Sequence, residues 1–268
     1  MALVQVALDA RSYDILIEQG ALDRAGDQLA RFARGGRLVV VTDANVAAAQ
    51  LPRLDASLRA IGTTAPFLLM TSSGGLATLE TAIRFPVRLV ESGPAGGAIL
   101  AGQIAAECGL NRVLSFDMGG TSADISVVAG GRIDETSQGR VAGQDIGTPM
   151  LAVRTLGAGG GTIAYIGADG LMKVGPMSAG AAPGPACYGA GGTEPTVTDA
   201  NMVLGYLNQS ALAGGAVPVD PEKSREAIER VVAGPMGISL EEAAHGVHEL
   251  VSTVMMRAVK SVTTFRGR

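Results

Sequence analysis

Asp117, Gly119, Gly120, Thr121 and Ser122 stand close together, and these are residue types that hold a phosphate beside a metal ion. Glycine accepts positive φ and lets a ligand approach where a Cβ would stand in the way. Successive backbone N–H groups in such a turn can converge on an anion. A carboxylate at one end can hold a hydrated divalent cation next to that anion. Val113, Leu114 and Phe116 before Asp117, and Ile125, Val127 and Val128 after Asp124, are the apolar runs of two strands. The segment therefore reads as strand, tight turn, strand. An ordinary glycine-rich hairpin with a solvated aspartate fits the same residues, as does Asp124 pairing inside the hairpin.

Upstream, Glu91-Ser92-Gly93-Pro94-Ala95-Gly96-Gly97-Ala98 opens a helix expected to reach about Glu107. Ser92 suits the N-cap, Pro94 the first turn, and Gly109 the C-terminal cap. Glycine in a helix costs up to about 1 kcal/mol against alanine, so Gly96 and Gly97 predict that another backbone crosses there. Glu91 is a candidate for orienting a water or a metal ion. Downstream, Gly157-Ala158-Gly159-Gly160-Gly161 either forms a second anion-binding turn or lets residues 163–165 pack on a neighbouring strand. Arg154 can meet a phosphate or carboxylate bidentately, and a structural ion pair is the reading preferred here.

A small-residue helix followed by an Asp-x-Gly-Gly-Thr hairpin resembles the connecting helix and second phosphate loop of actin-like ATPases. A narrower resemblance rests on ordered blocks: Met70-Thr71-Ser72-Ser73-Gly74-Gly75, Glu91 to Gly97, Asp117 to Ser122, Gly157 to Gly161, Pro183-Gly184-Pro185-Ala186-Cys187-Tyr188-Gly189, and Pro195-Thr196-Val197-Thr198-Asp199-Ala200-Asn201. Together they resemble the hydantoinase A/5-oxoprolinase family, ATP-dependent hydrolases of cyclic amides related to acetone carboxylase subunits. The resemblance covers residues 63–268. It implies an α/β chain holding part of an actin-like ATPase (ribonuclease H-like) lobe. It implies ATP and Mg2+ as cofactors, a hydantoin- or 5-oxoproline-type substrate, and a hydantoinase B-type partner subunit. Under it Asp117 takes the Mg2+ and Glu91 a catalytic role, while Gly119, Gly120, Thr121, Ser122, Gly159 and Gly160 bind the nucleotide. Ala182 and Ala190 depart from the family, which usually carries Asp and Arg there. The chain also stops before a later glycine-rich segment of the family.

Residues 1–62 read as a short Rossmann-like β/α segment: strands at 4–8, 13–17 and 37–43, with helices at 22–34 and 45–60, the latter interrupted at Pro52. Ser12 to Ile17 and Val40 to Val46 resemble the start of 3-dehydroquinate synthase, where the positions matching Asp43 and Asn45 belong to the NAD site. That resemblance ends near residue 62, and plain turn residues are the favoured reading of both side chains. The sequence thus predicts two domains, 1–62 and 63–268, joined abruptly as a chimera with neither parent complete.

Glycine, with 38 of 268 residues, is about twice as frequent as usual. That excess calls for tight turns and close backbone approaches. A net charge of −4 without basic clusters disfavours nucleic acid and anionic membranes as partners. No apolar run is long enough for a membrane span, and the N-terminus lacks the basic region of a signal peptide, so a cytoplasmic location is expected. Cys108 and Cys187 are read as structural thiols. His245 and His248 lie three apart on a helix expected over 240–264, and without a third ligand they read as exposed or capping residues. A helix should begin near Thr198 with Asp199 at its positive end. Residues 132–149, and 175–195 with Pro176, Pro183, Pro185 and Pro195, read as irregular, the latter as a loop near the active site.

The family chemistry implied is phosphoryl transfer from ATP to a cyclic amide oxygen, then hydrolysis of the activated ring. The alternatives are a nucleotide-binding or structural fragment without turnover, and an NAD-binding protein of dehydroquinate-synthase type.

Overall fold

The computed structural model describes residues 2–6, 13–33, 39–40, 44–62, 68–141, 143–212, 215 and 217–267. It is a mixed α/β chain in two compact units, Met1–Leu100 with Asp134–Ala152, and Ala101–Ile133 with Val153–Arg268.

In the first unit β1 (Ala2–Val6) and β2 (Tyr13–Ile17) pair antiparallel, followed by α1 (Ala25–Ala33), β3 (Val39–Val40) and α2 (Ala44–Ala60). β3 runs parallel to β4 (Leu68–Met70), and β5 (Leu76–Thr78) pairs antiparallel on the other side of β4. Asp43 and the side chain of Asn45 lie outside the described residues. Helix α2 continues through Pro52, contrary to the interruption expected from sequence. A proline inside a helix costs about 3 kcal/mol, and packing on both sides offsets it. Leu51 and Leu58 are buried, and Ser57 Oγ accepts from Gly26 N and donates to Asp23 O, each at 2.9 Å. A Cβ on Gly26 would lie 2.1 Å from Ser57 O, so α1 and α2 touch backbone to backbone.

Helix α3 (Leu79–Arg84) is capped by Thr78, whose hydroxyl accepts from Thr81 N at 3.3 Å. Leu51, Leu69, Ala82 and Leu89 form the small core of this unit. Helix α4 (Ser92–Glu107) ends as expected, with Gly109 at φ +66 and Leu110 N bonded to Ala105 O. Among the described residues no backbone crosses at Gly96 and Gly97 as expected: a Cβ on either would meet nothing within 4 Å. The helix buries Ser92, Ala95 and Ala98 instead, so its tight face is made of small side chains.

The chain then forms β6 (Arg112–Met118), β7 (Ala123–Ala129) and β8 (Arg132–Ile133) of the second unit. Residues 134–152 belong to the first unit as β9 (Glu135–Thr136), β10 (Gly139–Val141), β11 (Gln144–Ile146) and β12 (Met150–Leu151), short antiparallel pairs where sequence suggested irregular chain.

The second unit continues with β13 (Arg154–Leu156), β14 (Thr162–Ile166), β15 (Met172–Ser178), α5 (Val197–Val203), β16 (Ala211–Leu212), β17 (Val217–Pro218), α6 (Pro221–Ile228), α7 (Gly234–Met236) and α8 (Leu240–Val262). β15 carries Pro176, so the supposed loop over 175–195 starts as a strand and later holds a helical turn at Ala186–Tyr188. The main sheet has the order β13-β7-β6, antiparallel throughout. Its Leu156 packs on the cluster of Ala164, Val197, Ile228, Val232, Ala244, Val247 and Val251, contributed by β14, α5, α8 and the chain around α6. Asp220 caps α6, and Ser239 with Glu242 forms the capping box of α8. No helix among the described residues is long and apolar enough to cross a membrane.

Candidate functional site

The strand-turn-strand read around Asp117 is the β6–β7 hairpin, with Asp117 opposite Asp124 and Met118 opposite Ala123. Only one amide of the turn is spent within it, Gly119 N donating to Ser122 O at 2.8 Å. Among the described residues the N–H groups of Gly120, Thr121 and Ser122 find no partner in the chain. The turn is braced from outside by the second glycine-rich loop, since Gly160 N donates to Gly119 O at 3.0 Å and Gly161 N to Gly120 O at 2.6 Å.

The close backbone approach that the sequence assigned to Gly96 and Gly97 occurs here. A Cβ on Gly159 would lie 2.7 Å from Gly119 O and from the carbonyl carbons of Gly120 and Thr121. Thr198 fixes the loop from below by donating its N and Oγ1 to Gly160 O at 2.8 and 2.9 Å. We expect Gly159→Ala to push the two loops apart at a cost of about 1–3 kcal/mol, read in a thermal melt as a midpoint lower by several degrees.

The two loops border an open cavity of about 610 Å3, lined by Met118, Gly119, Gly120, Thr121, Gly160 and Gly161 with Tyr188, Thr198, Asn201 and neighbouring apolar residues. No lysine, arginine, aspartate or glutamate is in that lining. Burial, followed by Cys187 and Asp199, pushes the Tyr188 phenol upward, with Thr198 offsetting part of the effect, so the phenol stays neutral. Amides, hydroxyls and a phenol, all without net charge, suit an anion that carries its own counter-cation.

Asp117 and Asp124 project from the same sheet face as directly opposed residues. Asp124 Oδ1 accepts from Thr155 Oγ1 of β13 at 2.6 Å, so it pairs across the sheet and not inside the hairpin. Asp117 is exposed, and neither carboxylate forms an ion pair among the described residues. Opposed like charges on adjacent strands repel, and a divalent cation between them would remove that cost. Arg154 is also exposed and makes none of the described ion pairs, contrary to the structural salt bridge expected of it. Glu91 lies in the first unit, where its amide donates to Ser72 Oγ at 3.1 Å, and is not part of the cavity lining.

Hydantoinase/oxoprolinase is the family whose model matches this chain, over residues 47–268. The chain belongs to that family. The match begins inside α2, earlier than the residue 63 expected from the motifs. Caprolactamase subunit alpha of Pseudomonas jessenii is 39% identical over 268 residues, the whole of this chain and 38% of the relative. The crystal structure of the ATP-dependent caprolactamase from that organism superposes with a TM-score of 0.70 at 41% identity, covering 84% of this chain and 33% of that one. A nucleotide-free acetone carboxylase, from work on ATP-dependent acetone carboxylation, superposes at 0.74 with 31% identity, covering 84% and 31%. The chain thus spans about a third of the length of these relatives.

Within this hydantoinase/oxoprolinase chain, sequence reasoning missed the part played by Asp199. It is fully buried and receives hydrogen bonds from Ala186 N, Cys187 N, Thr196 N, Thr196 Oγ1 and Ser224 Oγ at 2.7 to 3.1 Å. That hub ties the Ala186–Tyr188 turn to α5 and α6, and so places Tyr188 and Thr198 in the cavity wall. The signal available was Thr196 three residues before Asp199, which forms a capping box with it. Cys187 beside this hub is fully buried, and burial followed by the Asp199 charge pushes its thiol up to about 12. Cys108 is exposed. Native protein at pH 8 should therefore take up one maleimide per chain, at Cys108, and a second only on unfolding. Two fast-reacting thiols in the native protein would contradict this burial. His245 is exposed, and among the described residues no three His, Cys, Asp or Glu side chains cluster as metal ligands.

Proposed function

We propose that this chain is the nucleotide-handling part of an ATP-dependent hydrolase of cyclic amides, of hydantoin or 5-oxoproline type. Asp117 holds Mg2+ or one of its waters, the backbone from Gly119 to Ser122 receives a phosphate, and Gly159 and Gly160 brace that turn. The role proposed for Glu91, orienting a water or the metal, rests on the family resemblance alone, since Glu91 is not in the cavity lining. The observation that carries this reading is the uncharged cradle: unpartnered amides at Gly120, Thr121 and Ser122, backed by a loop whose Gly159 admits no Cβ. Phosphoryl transfer needs positioning and charge neutralisation more than a covalent nucleophile. With no cationic side chain in the lining, neutralisation falls to the metal when bound and to the amides. An actin-like lobe, a cytoplasmic location and a hydantoinase B-type partner belong to the same proposal, the partner being supported by relatives named as subunits.

Calorimetric titration with Mg·ATP should give saturable binding that weakens sharply when EDTA removes the metal. ATP hydrolysis stimulated by hydantoin, 5-oxoproline or caprolactam marks the amidohydrolase. Binding without turnover marks the non-catalytic alternative, and no Mg·ATP binding overturns both. An NAD site on residues 1–62 is the competing proposal, supported by the dehydroquinate-synthase resemblance alone. Absence of NAD binding in the same calorimeter would remove it.

A further inference from the structure

Asn201 of α5 contributes to the cavity wall, and its Oδ1 lies 2.9 Å from His248 Nδ1 of α8. An amide oxygen has no proton to give, so His248 Nδ1 carries the hydrogen and donates it. Tyr206 is set edge-on to the imidazole, ring centroids 5.2 Å apart at 64°, which holds the plane of the ring. With one lone pair of Oδ1 engaged, the Nδ2 amine of Asn201 stays available, and none of the hydrogen bonds among the described residues uses it. The amide oxygen faces the ring, and the imidazole holds Asn201 in position through this contact. The same cavity is lined by Met118, Leu207 and Leu212, apolar side chains against which a flat ring can lie.

We infer that Asn201 is a specificity-determining residue that offers its Nδ2 donors to the cavity, and that His248 is the positioning residue that holds it there. The matching ligand feature is an uncharged acceptor atom of a nucleotide, a ring nitrogen of its base or an oxygen of its ribose. This rests on the nucleotide reading of the cavity. From sequence His245 and His248 read as exposed or capping residues, and it is the packing of α8 on α5 that turns His248 to this other use.

The test titrates the full 268-residue chain with Mg·ATP, Mg·ribose 5′-triphosphate and Mg·tripolyphosphate. His248→Leu and Asn201→Leu should each weaken Mg·ATP about 10-fold, the effect of one lost hydrogen bond, and leave tripolyphosphate unchanged. The double variant should be no weaker than either single one. His248→Gln, which restores a donor, should recover most of the affinity. Loss that persists with ribose 5′-triphosphate assigns the acceptor to the sugar, and loss confined to ATP assigns it to the base. Unchanged Mg·ATP affinity in His248→Leu, or equal loss for ATP and tripolyphosphate, would overturn the inference while the nucleotide reading stands. A wild-type chain that binds none of the three overturns both.

Discussion

Asp199→Ala is expected to cost the protein about 3–5 kcal/mol, because it leaves several buried donors with no acceptor. In a chain of this size that lowers the thermal midpoint by roughly 10 °C. The donors cannot turn to water: Thr196, Cys187 and Ser224 are each fully buried beside the carboxyl group. Asp199→Asn separates shape from chemistry. Its NH2 group must face either Cys187 N or the pair Ala186 N and Thr196 N, whichever way the amide is turned. A hydroxyl can rotate a lone pair toward a new donor, but a backbone N–H cannot, so the isosteric variant should lose nearly as much as alanine. Asp220→Ala is the control, since it removes a half-buried N-cap that accepts one hydrogen bond from Glu222 N and sits 3.9 Å from Lys223 Nζ, and it should cost only about 1 kcal/mol. Chemical denaturation of the three variants decides it. Asp199→Asn melting within a degree or two of wild type would mean the hub is not holding the loop.

What could be read from sequence is what depends on neighbours along the chain. The β6–β7 hairpin follows from apolar runs on either side of a glycine turn, and the caps at Asp220 and Ser239 from residue type and spacing. Helix α4 follows from Ser92, Pro94 and Gly109. Features made by distant segments were displaced or invisible. Glycine need was assigned to Gly96 and Gly97, yet the chain that demands a missing Cβ crosses at Gly159, 38 to 40 residues beyond the turn it meets. Asp199 looked like a helix-end charge, because Ala186, Cys187 and Ser224 stand 12 to 25 residues away. Asn201 and His248 are 47 residues apart and meet only when α5 packs on α8. Pro52 misled for the complementary reason: a local penalty was legible, and the tertiary packing that offsets it was not.

Asp117→Asn should move stability and binding in opposite directions. In the protein without ligand, Asp117 faces Asp124 across the ladder with no described counter-ion, and opposed like charges there cost roughly 0.2–1 kcal/mol. Removing one charge should leave the thermal midpoint unchanged or slightly higher. For Mg·ATP the same change removes one of the two charges that would receive the cation. Contacts to charged groups are worth about 1.5–3 kcal/mol, so affinity should fall by roughly 10- to 150-fold. Asp124→Asn should weaken binding less, because its Oδ1 is already held by Thr155 at 2.6 Å and has less freedom to reach a metal. Tripolyphosphate without magnesium should bind wild type and Asp117→Asn alike, since the amides of Gly120, Thr121 and Ser122 are untouched. A merely structural aspartate cannot produce that pattern: its loss would lower the midpoint and weaken both ligands together. If Asp117→Asn binds Mg·ATP as tightly as wild type, the metal does not sit on β6, and the phosphate reading of the turn loses its counter-charge.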